Sequence, residues 1–286
     1  MPSQDGPRRG WLFCSLAVAA LLAAGGPARA DISFVSAFRN VSNVQTGNGN
    51  TLSAAGAFYS ADLTSTTANN YSAVQMVFPG AGSPVALSQT DLTLYHFQTN
   101  NLGSKAAMDA AFPVGTYTFN ATRSGGVDTT SYQYTTDDYA QSQPFLTGND
   151  YASLQGMNAA QAFVFHFSPF VTGSRANSSF IFFTIFDNDT NKFVFDAGFL
   201  APTTTSVTLA ANTLAAGHHY TYEIDFSNRD LVDSPGAEFQ AQLGFDVRTT
   251  GTFVSAVPEP STLALCAIGL VGLAAARFRN GRAVNR

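Results

Sequence analysis

Cysteine is all but missing from this 286-residue chain. Its two copies, Cys14 and Cys266, fall in apolar segments near the two ends, so residues 31–256 hold none. That excludes disulfide scaffolds, thiolate metal sites and thiol nucleophiles from the body, which is long enough to be held by its core alone. Basic side chains are almost as scarce. Between residues 31 and 256, seven Lys and Arg stand against 17 acids, a net charge of −10. A body this acidic is repelled by phosphate backbones, so nucleic acid is excluded as a partner. Helical patterning is rare too, the best stretch being Ser104 to Ala111 with Ser104 as its N-cap. No Gly-x-Ser-x-Gly elbow, phosphate loop or His-Glu-x-x-His pair occurs. The expectation is a protein that is not an enzyme and takes no cofactor.

What the body does have is aromatic residues at strand spacing. It holds 23 phenylalanines and ten tyrosines, which favour strands and give a core large apolar area per side chain. Tyr220, Tyr222, Ile224 and Phe226 alternate with Thr221, Glu223 and Asp225; Phe239 to Arg248 alternates in the same way. Phe180 to Phe186 is apolar on both faces, as expected of a strand packed on both sides. Shorter runs lie at 32–38, 71–78, 91–97, 116–121, 132–135, 163–167, 192–195 and 207–209. Turn residues punctuate them at Gly47-Asn48-Gly49-Asn50, Ser124-Gly125-Gly126 and Asp187-Asn188-Asp189-Thr190-Asn191. The fold class expected is all-β: antiparallel β-sandwiches, Ig-like or jelly-roll-like, flanked by an N-terminal signal helix and a C-terminal transmembrane helix.

Two stretches, Pro113 to Phe119 and Gly217 to Tyr222, resemble each other. The second, with its lead-in at Leu214, is similar to the tyrosine corner of fibronectin type III and immunoglobulin-like domains. That resemblance implies a Tyr220 hydroxyl bonded back to nearby backbone. The pair suggests two sandwiches, 31–135 and 160–256, joined by a polar connector over 136–159. The alternative is one sandwich spanning the whole body.

Both ends read as export signals. Arg8 and Arg9 precede an apolar run from Trp11 to Ala24, and Ala28-Arg29-Ala30 offers a cleavage site, so residues 1–30 form a signal peptide. Arg8 to Leu12 also resembles a twin-arginine motif, which leaves the export route open. At the other end, Pro258-Glu259-Pro260 abuts an apolar run from Ser261 to Ala276, closed by Arg277, Arg279, Arg282 and Arg286. Sixteen residues make about 24 Å of helix, short of the ~20 residues a bilayer core asks for, though flanking arginines can snorkel. The arginines place the C-terminus in the cytoplasm.

In this order of parts, residues 257–286 resemble the PEP-CTERM sorting signal of Gram-negative bacteria, with Pro258, Glu259, Pro260, Arg277 and Arg279 as its signature. The resemblance implies processing by an exosortase at the inner membrane, after signal peptidase has acted, and delivery to the outer envelope or an extracellular exopolysaccharide matrix. The function it suggests is structural or adhesive. A carbohydrate-binding module is the alternative, and a secreted hydrolase a more distant one.

Within the body, Tyr139, Phe145 and Tyr151 are interleaved with Asp, Asn and Gln, a composition suited to stacking on sugar rings and bonding their hydroxyls. Asp187, Asp189 and Asn191 have the opening of a calcium loop, but Lys192 stands where the sharp bend needs Gly and no Glu closes it, so a hairpin turn is the simpler reading. Adjacent strand residues point to opposite faces, so His218 and His219 are not expected to share an ion, and no metal site is expected. His96 and His166 sit in apolar runs and read as partners of other side chains. Asp137 and Asp138 read as acids of a polar loop.

Overall fold

The structure, a computed structural model, describes residues 31–176 and 178–256. The signal peptide with Ala28 and Ala30, the sorting tail and its apolar run at 261–276 lie outside the described residues. Among the described residues, no helix is long and apolar enough to cross a membrane.

The chain is all-β. Its strands are β1 (Ile32–Gln45), β2 (Leu52–Ser65), β3 (Ala73–Val77), β4 (Val85–Gln89), β5 (Leu94–Gln98), β6 (Gly115–Arg123), β7 (Gly126–Tyr134), β8 (Phe163–His166), β9 (Ser178–Asp187), β10 (Lys192–Asp196), β11 (Ser206–Leu209), β12 (His219–Val232) and β13 (Ala241–Val254). Two short helices, α1 (Lys105–Ala111) and α2 (Asp150–Leu154), interrupt them. Ser104 caps α1 as its position suggests, accepting from the Ala107 N–H.

Eleven strands form one continuous sheet in the order β10-β9-β12-β13-β1-β2-β5-β4-β3-β6-β7, and β8 pairs with β11 in a separate ribbon. At the centre β1 runs parallel to β13, in register from Ser36↔Gln242 to Val44↔Thr250. This corrects the expectation of purely antiparallel sheets. Alternation fixes which face a residue takes but is blind to the direction of its neighbour. The connection between these two strands is nearly the whole body, which satisfies the long crossover that parallel pairing requires.

Two cores share one face of the central strands. In the first, Ala37, Tyr59, Leu63 and Phe245 from β1, β2 and β13 pack against Met76, Tyr117, Phe119 and Tyr132 from β3, β6 and β7. The sheet can fold back over itself because β4 pairs with β3 through its first half and with β5 through its second. Stacked rings run through this core: Tyr59 lies 4.1 Å from Phe112, and Tyr117 5.3 Å from Tyr132. In the second core, Phe183 and Ile185 of β9 and Tyr222 and Phe226 of β12 pack beneath Phe165 and Leu209 of the ribbon and Phe167 just beyond it. Residues 136–159 are not a free tether. Leu146, Leu154, Met157 and Ala159 enter the second core, and the buried Asp138 carboxylate accepts from the N–H groups of Ser174 and Arg175.

Both resembling stretches place a tyrosine hydroxyl on nearby backbone. Tyr117 donates to the Pro113 carbonyl (2.8 Å), and Tyr220 donates to the Ala215 carbonyl (3.1 Å) while accepting from its N–H (2.8 Å). The opposite face of the central strands is polar and charged. Arg229 pairs with Asp246 at 2.5 Å, and Arg248 lies 3.5 Å from Asp225. The Arg229 guanidinium sits 4.6 Å from the Phe38 ring centre and 5.0 Å from that of Phe180. Gly244 makes this possible: a Cβ there would meet Phe38 at 2.3 Å and Arg229 at 2.4 Å. The second apolar face read along Phe180–Phe186 is explained here as well. Phe180 and Phe182 pack on each other and on Phe199, and Phe186 packs on Phe193.

Candidate functional site

Arg39 of β1 projects toward the first core and is almost wholly buried, so its charge must be answered locally. Four groups answer it. Nη1 donates to the Phe112 carbonyl at 2.9 Å, and Nη2 donates to Asp109 of α1 at 2.6 Å. Nε lies 3.1 Å from Asp137, and the guanidinium stacks 4.6 Å from the Tyr134 ring centre. Lys105 closes the network, with Nζ 2.7 Å from Asp109 and in contact with Asp137, which also accepts from the Tyr134 hydroxyl. Two cations thus hold two carboxylates, Asp109 and Asp137, which line a cleft of about 300 Å³ together with Phe112, Pro113, Val114 and Thr136.

Burial alone would raise the Asp137 carboxyl, but Lys105, the Tyr134 hydroxyl and Arg39 outweigh it and hold it below the usual range. A general acid needs the opposite shift. Lys105 also lies 5.5 Å from the Tyr139 ring centre.

Of the three aromatics read as candidate sugar contacts, Tyr139 packs edge-on against Phe245 at 5.5 Å as part of the first core. Tyr151 packs against the second core. Phe145 is half-buried and bonded through its backbone to Ser168. Packing thus divides Tyr139 and Tyr151 between two cores.

The hairpin from β9 to β10 forms as its turn residues suggest, with Asn191 in the left-handed conformation at φ 58°. Asp187 Oδ1 accepts from the N–H groups of Asp189 (2.9 Å) and Thr190 (3.1 Å). Its Oδ2 lies 2.9 Å from His218 Nδ1. Asp189 Oδ2 accepts from the His219 N–H at 2.9 Å and lies 3.2 Å from His219 Nδ1. The two adjacent histidines therefore choose two different aspartates. Donor atoms of Asp187, Asp189 and His218 nevertheless all lie within 4.8 Å of one another. Both carboxyls are held below their usual range. For Asp187, the His218 and backbone donors overcome burial; for Asp189, the His219 backbone and ring contribute most.

The other histidines follow the same rule. His166 Nδ1 lies 3.0 Å from Asp150, and His96 Nδ1 lies 2.6 Å from Asp62. The Asp62 partner raises the His96 pKa above its ordinary 6.5, against the opposing effect of burial. A raised folded-state pKa contributes stability fully present below the unfolded value and lost as pH climbs through the folded one. The urea midpoint should therefore fall as pH is raised from 6 to 9, with a smaller fall in His96→Gln. An equal fall in both proteins would remove His96 as the cause.

The tail supplies the deciding observation: residues 256–280 match the family profile of the PEP-CTERM protein-sorting motif. The chain carries a PEP-CTERM sorting signal. The match takes in Pro258, Glu259, Pro260, Arg277 and Arg279, and it begins two residues beyond the end of β13. The PEP-CTERM signal marks a protein that is exported and processed by an exosortase. No curated protein matches the chain. Among solved structures, it is similar to the chicken CNTN1 FN1-FN3 domains at 11% identity, covering 81% of this chain and 68% of that one, with a TM-score of 0.24. A biofilm-associated protein BSP domain is 12% identical over 80% of this chain and 30% of that one, with a TM-score of 0.21. A bacterial ice-binding adhesin is 15% identical over 78% and 65%, with a TM-score of 0.24.

Proposed function

We propose that this PEP-CTERM protein is a structural or adhesive component of the outer envelope or extracellular matrix, without enzymatic activity. The observation that carries the reading is the sorting motif joined directly to an acidic, aromatic-rich β body. On this reading signal peptidase cuts after Ala30, and the chain pauses in the inner membrane with its C-terminus in the cytoplasm. An exosortase then recognises and processes the tail that carries Pro258-Glu259-Pro260. The body works as one unit of two packed cores, in which β13 lends Leu243 and Phe245 to the first and Phe253 to the second, so the stretches 31–135 and 160–256 act together through the β1–β13 pairing. Mass spectrometry of material recovered from the host tests the delivery route. Ends near Asp31 and near the Pro258–Pro260 triplet are expected, in the envelope or matrix fraction. Protein intact to Arg286 in the inner membrane would overturn it.

The cleft beside Arg39 favours a second reading, carbohydrate binding. It combines carboxylates, a hydroxyl and apolar walls in a volume suited to a sugar residue. Retention of the protein on the host's exopolysaccharide, compared with Asp109→Asn, is the test. Asp109 is partly exposed at the rim, so the variant should fold. Weaker retention in the variant supports binding at the cleft, and equal retention removes it.

A further inference from the structure

We propose that Asp187, Asp189 and His218 form a binding site for a divalent transition-metal ion, Zn²⁺ being the representative, where the β9–β10 turn meets the start of β12. This goes beyond the sorting and adhesive reading and does not rest on it.

The donors come from two segments about 30 residues apart and include an imidazole nitrogen, so this is a mixed nitrogen–oxygen set rather than a run of surface acids. Two neighbouring ligands of an ion at about 2.0–2.2 Å stand roughly 3 Å or a little more apart. Asp187 Oδ2 and His218 Nδ1 are already 2.9 Å apart. Asp189 supplies the third donor within the same 4.8 Å limit.

The Asp187 carboxylate is buried and aimed. Its Oδ1 is held by the Asp189 and Thr190 N–H groups, which leaves Oδ2 facing His218. Outer hydrogen bonds of this kind orient a ligand before an ion arrives. The His218 and Asp189 side chains are 32% and 42% exposed, so the open side of the cluster faces water. That leaves approach and the remaining coordination positions to solvent.

Binding exchanges water on the ion for Nδ1 and the carboxylate oxygens. A neutral His218 moves its proton from Nδ1 to Nε2, and a protonated one releases a proton to water. An imidazole ligand selects zinc, cobalt or nickel over calcium and magnesium, which take oxygen. The consequence is a staple: the ion would tie the hairpin turn to the first residues of β12 and stabilise the second core by mass action.

The test uses the full chain in detergent, stripped with a chelator. Titration with Zn²⁺ followed by calorimetry is expected to give one ion per chain and a rise in Tm. Co²⁺ should give visible absorption bands indicating a nitrogen ligand. His218→Ala and His218→Gln should each weaken binding at least tenfold, while His166→Ala leaves it unchanged. Circular dichroism of the variants separates loss of the site from loss of the fold, and the Co²⁺ spectrum of the unaltered chain stands without them. Absence of uptake, or uptake indifferent to His218, would overturn the proposal. So would a Tm rise with Ca²⁺ equal to that with Zn²⁺ and preserved in His218→Ala, because the donors would then be oxygen alone.

Discussion

Replacing Gln45 with alanine is expected to lower the free energy of unfolding by about 3–5 kcal/mol, since each buried group left unpaired costs about 1–3 kcal/mol. Gln45 closes β1 and is 1% exposed. Its Nε2 donates to the carbonyls of Gly47 (2.9 Å), Gly49 (3.0 Å) and Leu146 (3.0 Å). Its Oε1 accepts from the Leu146 N–H (2.8 Å) and from the Tyr222 hydroxyl (2.7 Å). One side chain therefore joins the first strand, the turn after it, residues 136–159 and β12. Alanine leaves the Leu146 backbone and the Tyr222 hydroxyl, both fully buried, without these partners. Tyr222→Phe removes one bond of the set and should cost about 1 kcal/mol. Added to Gln45→Ala, it should cost almost nothing more, because its partner is already gone. Urea unfolding of the three variants measures this. A loss below about 1 kcal/mol for Gln45→Ala would mean that water or rearrangement replaces the amide without penalty.

Arg39→Ala is expected to cost about 3–5 kcal/mol, the usual penalty for removing one partner from a buried ion pair. The loss comes less from the missing attraction than from what stays behind: Asp137 and Asp109 with only Lys105 between them, and a Phe112 carbonyl without its donor. Arg39→Lys should recover only part, because one ammonium cannot reproduce the planar fork that meets a carbonyl and two carboxylates. Combining Arg39→Ala with Asp137→Ala should restore stability relative to simple addition of the two losses. The sign with pH is fixed by Asp137, whose folded-state pKa is depressed. Its contribution is present above the unfolded carboxyl range and lost as pH falls through the folded value. The gap between the natural protein and Arg39→Ala should therefore narrow in acid. A gap that widened would place the charge dependence elsewhere.

Much of this was legible where side chains alternate strongly. Tyr220 to Phe226 and the run ending at Arg248 announce β12 and β13, and the caps, turns and tyrosine corners follow from local chemistry. β2 was missed: its Ala-, Ser- and Gly-rich stretch, Leu52 to Ser65, has little strand propensity of its own. It is held by β1 on one side and β5 on the other. β4 escaped for a related reason, since its five residues divide their pairing between two neighbours.

The cleft was illegible because Arg39, Asp109 and Asp137 meet only once β1, α1 and the end of β7 are folded together. The partner of His218 could not be read from the sequence, although the two adjacent histidines do turn to different aspartates. Strand alternation was applied to both, but β12 begins at His219, and His218 lies in the lead-in, free to turn toward Asp187.

The parallel pairing of β1 with β13 sets an order of events. The seam at the middle of the sheet cannot close until the last strand is present, so the sheet is completed only once the residues directly before the sorting motif have been made. From Val254 to Pro258 the chain can reach at most about 14 Å, at ~3.3–3.6 Å per residue. On the proposed route, an exosortase that processes the tail after closure must work close to the finished body. Lengthening that junction with a few flexible residues would separate the timing of folding from that of cleavage.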